Sequence, residues 1–131
     1  MFMKSIQSLC LTQSILMKTD LSNATFIIPI RIESDDRLRN VVTSIAFLVE
    51  NFDTNIIVKE VDKESVFQTE VLPIFEEILE VDLWKNFHHI FERSEEPLFH
   101  RQRVLNEMIA ECETDIVVNY DCDVILPMKS Y

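Results

Sequence analysis

Asp115-Ile-Val-Val-Asn-Tyr-Asp121-Cys-Asp123-Val-Ile-Leu-Pro127 is the stretch on which the fold turns. Its first half is a short run of β-branched and apolar residues, too short for a helix and rich in strand formers, so it reads as a buried strand. The run stops at two carboxylates one residue apart. Open α/β sheets carry their ligands outside the carboxyl ends of the strands, so Asp121 and Asp123 are expected at a ligand-bearing edge. Hard cations take oxygen ligands, often one or two carboxylates completed by phosphates. Mn2+ or Mg2+ on Asp123 and Asp121 is the cofactor expected there. The plainer reading is that both merely cap a strand. With nine Asp in the chain, an Asp-x-Asp triplet arises easily by chance, so what precedes it must decide.

Working back from that strand, residues 98–112 have Val104, Leu105, Met108 and Ile109 at helical spacing, which predicts an amphipathic helix after Pro97. Phe87-His-His-Ile-Phe91 predicts a short strand, and residues 64–82 a helix that Pro73 either starts or kinks. At the front, Ala24-Thr-Phe-Ile-Ile-Pro29-Ile-Arg31 is a strand that the proline is expected to end, because it has no N–H for the ladder. Ser34 then caps a helix with Leu38, Val41, Val42, Ile45, Leu48, Val49 and Phe52 on one face. Asn55-Ile-Ile-Val-Lys-Glu60-Val-Asp62 returns as a second strand. Strand, helix, strand at this spacing forms a parallel unit with a right-handed crossover. The expected fold is therefore a three-layer α/β/α, Rossmann-like domain over residues 24–131. Its sheet would be mainly parallel, with strands near 25–30, 55–61 and 115–120 and helices on both faces.

Composition narrows the function. The 131 residues suffice for one core. There is no glycine at all, so no glycine-rich phosphate loop of the Walker or dinucleotide type can exist. A net charge of −11 argues against nucleic acid as a partner, since that binding is driven by cationic neutralisation of phosphate. Three cysteines without metal spacing point to a reducing, cytoplasmic setting. Cys122 is expected to pack as a small hydrophobe. Residues 1–23 are too interrupted by Lys, Gln and Asp to span a membrane, and are expected as a loosely ordered or amphipathic extension.

Arg31 and Arg37 follow the first strand, and Arg101 and Arg103 lie on the third helix. Parallel strand ends converge on one edge, so Arg31 and the Asp pair should share a crevice in which guanidinium groups fork onto phosphate oxygens. Taken one at a time, each Arg is as readily a solvated surface cation. Glu60 or Asp62, at the second strand's end, could accept from a base N–H.

These pieces together resemble the nucleotide-binding half of a glycosyltransferase A-type domain, of the family-two and β-1,4-galactosyltransferase kind. The matching residues are Phe26-Ile-Ile-Pro29-Ile-Arg31, Ile56-Ile-Val-Lys-Glu60, Phe99-His-Arg101-Gln-Arg-Val-Leu105-Asn106 and Asp121-Cys-Asp123-Val-Ile-Leu-Pro127-Met128, in the family's order. The resemblance implies a nucleotide-sugar donor, most simply a UDP-sugar, bound with the divalent metal. It implies that Pro29, Ile30 and Arg31 line the nucleotide and that Glu60 sits near the uracil. Phe99 and Arg101 would flank base and diphosphate, Asp121 would approach ribose and metal, and Asp123 would be the direct metal ligand.

Three departures qualify it. Glu60-Val-Asp62-Lys63 replaces the family's Asp-Asp-Gly-Ser, and residues 63–96 are longer than in the galactosyltransferase relatives. The family's acceptor half and catalytic base lie beyond the Asp-x-Asp strand, so a missing C-terminal half or a second polypeptide would have to supply them. The catalytic residue is thus unassigned, and the chain by itself is expected to hold donor rather than transfer sugar. His88 and His89 are expected as strand or surface histidines. Two other readings remain open: a non-catalytic α/β interaction module, and a metal-dependent nucleotidyltransferase.

Overall fold

The computed structural model describes residues 18–79 and 85–122. They form four strands in one all-parallel sheet: β1 (Thr19–Ile30), β2 (Phe52–Asp62), β3 (Phe87–Arg93) and β4 (Ile116–Asn119). The order across the sheet is β3-β2-β1-β4. Helix α1 (Asp35–Asn51) joins β1 to β2, α2 (Leu72–Ile78) precedes β3, and α3 (Arg101–Glu111) precedes β4. Val41, Ile45 and Leu48 of α1 and Phe75 and Ile78 of α2 pack with Phe26, Ile28, Ile56 and Val58 on one face. Val104, Leu105 and Met108 of α3 pack with Ile27 and Val61 on the other. This is the expected α/β/α layering. It is also the layout that right-handed crossovers produce when a chain winds outward from β1 through β2 to β3 and then crosses back to β4. Among the described residues no helix is long and apolar enough to cross a membrane.

Phe52, expected on the apolar face of α1, instead opens β2, and β4, expected to be buried, leaves Ile116 exposed. Three further local features differ from the sequence expectations. First, β1 begins at Thr19, inside the segment expected as a loose extension. Thr19–Leu21 pair with Phe52–Thr54, the register slips, and Thr25–Ile30 pair with Asn55–Glu60. The carbonyls freed by the slip are taken by side chains: the Asn55 amide donates to Ser22 and Ala24 oxygens, and the Thr54 hydroxyl to Ala24.

Second, Pro29 does not end β1; it pairs with Lys59, and the strand runs on to Ile30. Ile27 turns its carbonyl to β4, accepting from Tyr120 N–H at 3.1 Å. Backbone groups alternate sides along a strand, so the nitrogen of Pro29 faces the same way. The β1–β4 pairing already stops at Ile27 and Asn119. The missing N–H therefore falls where no ladder bond is left to make.

Third, the helix expected over 64–82 is shorter and begins with a π-helical turn, Phe67–Val71, before α2. Leu72 N–H reaches back to Phe67 O, five residues away. Pro73 sits in the first turn of α2. It has no N–H and its ring crowds the carbonyl four residues back, which widens the turn before it.

The front of α1 follows the expectation closely. Ser34 Oγ accepts from Arg37 N–H at 3.1 Å, and Asp35 and Asp36 occupy the first turn, where negative charge complements the helix dipole. Ser34→Ala should lower stability by about 1 kcal/mol. Urea titration checks this, and an unchanged midpoint would show that the cap is dispensable.

Candidate functional site

Because β1 leads to β2 on one side and has β4 on the other, the crevice at their carboxyl ends is the topological switch point of the sheet. A cavity of about 270 Å³ opens there, just below the usual range for ligand clefts. Pro29, Ile30 and Arg31 line it from the end of β1, and Glu33 and Arg37 from the entry to α1. Phe99 and Arg101 come from the entry to α3, and Tyr120, Asp121 and Cys122 from the end of β4. Among the described residues, three guanidinium groups there meet two carboxylates, in a chain of net charge −11.

Arg31 is held from three sides. Its Nε donates to Val61 O at 2.7 Å, and its Nη1 donates to Glu96 O and Pro97 O, each at 3.1 Å. Its guanidinium carbon lies 5.6 Å from the centre of the Phe99 ring, within cation–π range. Nη2 is buried and has no partner among the described residues. A buried charged donor left unmet is costly, and a phosphate or carboxylate oxygen is the acceptor that suits it best. Arg101 donates from Nη2 to Asn119 Oδ1 at 3.1 Å, which anchors the start of α3 to the end of β4.

Asp121 is positioned by its neighbours. Tyr120 is buried with its ring edge-on to Phe26, the centroids 5.6 Å apart. Cys122 is buried too, as a small hydrophobe should be, and its carbonyl accepts from the Ser44 hydroxyl of α1. The short segment after β4 is therefore fixed on both sides of Asp121, which is itself exposed.

Of the residues expected at the nucleotide, Pro29, Ile30, Arg31, Phe99, Arg101 and Asp121 come together here. Asp123 lies outside the described residues. Glu60 goes elsewhere. Its carboxylate is fully buried on the α1/α2 face, where it accepts from Ser65 Oγ (2.6 Å), Val66 N–H (2.9 Å) and Phe67 N–H (3.1 Å), and it pairs with His89 Nε2 (3.1 Å). The His89 ring stacks on Phe67 with centroids 4.5 Å apart. Burial pushes this carboxyl up, but the bonds from His89, Ser65 and Phe67 outweigh it and hold the group below its ordinary value. Glu60 is a structural anchor for the turn before α2, with no lone pair turned to the cavity's residues in any bond it makes.

Arg103 also leaves the site. It binds Glu92 at 2.9 Å and Glu107 at 2.7 Å on the outer side of α3. Glu107 in turn takes the buried Lys59 ammonium at 2.7 Å, and these two cations hold its carboxyl below the usual range.

Glu33 and Tyr120 line the cavity without having been singled out in the sequence. Their signal was position alone: each is one or two residues from Arg31 or Asp121 at a strand's end. Among the described residues no three His, Cys, Asp or Glu side chains cluster as a metal site. Asp121 and Glu33 nevertheless offer hard oxygen donors in one cavity with the guanidinium groups, which fits an ion whose remaining ligands are phosphate oxygens.

No family model, no curated protein and no solved structure matches this chain.

Proposed function

We propose that the chain binds a nucleoside diphosphate-sugar, a UDP-sugar in the simplest case, with Mn2+ or Mg2+, as the donor-binding part of a glycosyltransferase. The observation that carries this reading is the convergence of three sequence-distant pieces, 29–31, 99–101 and 121, on one cavity at the switch point. Phe99 offers an aromatic face for the base, and backbone at Pro29 and Ile30 borders it. Arg31 and Arg101 provide fork-shaped donors for the diphosphate, Arg31 with an unmet one already desolvated. Asp121 and Asp123 would hold the ion, which when bound offsets charge building on the leaving diphosphate.

Titration calorimetry with UDP tests the proposal. Binding should require Mn2+ or Mg2+ and should weaken at least tenfold, about 1.4 kcal/mol, in Asp123→Ala. Equal affinity with and without metal, and in the variant, would show the site to be wrongly assigned. Displacement of UDP by a sugar 1-phosphate rather than by a UDP-sugar would favour a nucleotidyltransferase instead.

A further inference from the structure

We propose that β3 is a self-association edge, on which a second copy of this chain adds its own β3 antiparallel to make a continuous eight-stranded sheet. The inference is independent of the ligand at the switch point, which lies two strands away.

β3 is the outer strand of the sheet, with no strand on its far side among the described residues. It pairs with β2 without interruption from Phe87 to Arg93. Soluble proteins usually blunt such an edge with proline, lysine, a bulge or a very short strand. Phe87-His-His-Ile-Phe-Glu-Arg93 has no proline, lysine or bulge, its charges are confined to Glu92 and Arg93 at its end, and Phe91 stands 37% exposed on it. An open groove of about 600 Å³ runs along the edge, bordered on its two sides by Ile57 and Leu72 and by 87–90 of the strand itself.

The backbone phase is known from the strand's two ends. Asn86 O accepts from Ile56 N–H, and Ser94 N–H donates to Asp62 O. Even-numbered positions therefore face β2, and His89, Phe91 and Arg93 turn their N–H and C=O groups outward. In an antiparallel pair, outward-facing residues must meet outward-facing residues as hydrogen-bonded pairs. Centring the pair on Ile90 does this.

The same register is self-complementary in its side chains. His88 and Ile90 share a face with Glu92, since they pair with Ile57, Lys59 and Val61 of β2. With Ile90 at the two-fold axis, Ile90 meets Ile90 and His88 meets the second copy's Glu92. On the opposite face His89 meets Phe91, and Phe87 meets Arg93. Glu92 already binds Arg103, but a carboxylate retains lone pairs for the imidazole. The competing hydrogen-bonded registers are poorer. Moving the centre to His89 sets Arg93 against Lys85, and moving it to Phe91 sets Ile90 against Glu92. Cross-strand pairs of this kind decide sheet registers.

Sedimentation velocity on the 131-residue chain at physiological ionic strength tests the idea, because a charge of −11 repels copies at low salt. A dimer is expected at about 100 µM, a concentration at which mass action favours association of micromolar strength. Phe91→Lys and Phe91→Pro should each weaken it at least tenfold. The proline removes a donor facing the second copy and none facing β2, so circular dichroism should show both variants folded. The register has its own readout. Narrow antiparallel pairs hold Cα atoms about 4.5 Å apart, within disulfide reach. Ile90→Cys should give a disulfide-linked dimer under a mild oxidant, and Phe91→Cys no more than the unaltered chain. A monomer at that concentration overturns the proposal, as does dimerisation that survives both Phe91 variants, or Ile90→Cys cross-linking no better than Phe91→Cys.

Discussion

Arg31→Lys should weaken UDP binding about 100-fold, roughly 2.7 kcal/mol, while Arg103→Lys on the neighbouring helix should leave it within about twofold. A lysine keeps the charge but offers one compact ammonium, whereas Arg31 makes three directed bonds with Nε and Nη1 and keeps Nη2 in reserve. Those three bonds go to Val61 at the end of β2 and to Glu96 and Pro97 in the segment that carries Phe99. The substitution therefore removes a phosphate donor and loosens the support of an aromatic wall together. Each hydrogen bond to a charged group contributes about 1.5–3 kcal/mol, so two affected contacts are enough for the expected loss. Arg103 carries the same charge in the same region but is committed to Glu92 and Glu107 outside the cavity. Calorimetry on both variants, at a temperature where circular dichroism shows each folded, separates the cavity from general cationic attraction. Equal losses in the two would mean that only net charge matters, and no loss in Arg31→Lys would remove Arg31 from the binding site.

Much of this arrangement was legible in the sequence, because its signals are local and strong. The apolar runs at 26–30, 56–58 and 116–118 read as strands, and helices of ordinary length between them pointed to parallel pairing, although the last run is only half-buried and leaves Ile116 exposed. Once β1 and β4 are parallel, their carboxyl ends share an edge, so Arg31 and Asp121 had to lie near each other. What was not legible depended on phase. Glu60 follows Ile56 and Val58 at two-residue intervals, which places it on the α1/α2 face and not at the open edge. Read only as an acid at a strand's end, it looked like a ligand contact. The parity of the strand carried the better answer, as did Ser65, two residues before Phe67. The early start of β1 was hidden differently: Thr-Asp-Leu-Ser-Asn is poor strand material, and it pairs only because Asn55 and Thr54 side chains absorb the slipped carbonyls. Such compensation is between residues thirty apart and leaves no local trace.

The Glu60 cluster should be the most expensive single site in the domain to disturb, and its contribution should vanish in acid. Glu60→Gln keeps the shape but removes a charge that serves four donors at once: a hydroxyl, two amides at the start of the turn before α2, and the His89 imidazole. Removing one partner from a buried charged pair costs about 3–5 kcal/mol, and the retained amide oxygen should keep the loss near the lower figure. At this chain length about 3 kcal/mol corresponds to a melting point lower by roughly 10 °C. The pH dependence follows from the direction of the shift. The folded carboxyl lies below its ordinary value of 4.5, so between the two values the unfolded chain binds more protons. The stabilisation is complete above about pH 4.5 and is lost as the pH falls through the folded value. Urea midpoints for the unaltered chain and Glu60→Gln should therefore be far apart at pH 7 and draw together below pH 4. A gap that persists undiminished in acid would show that shape and packing, rather than the ionised carboxylate, hold β2, β3 and the turn before α2 together. A gap under about 1 kcal/mol at neutral pH would show the four bonds to be worth no more than those Glu60 makes to water when unfolded.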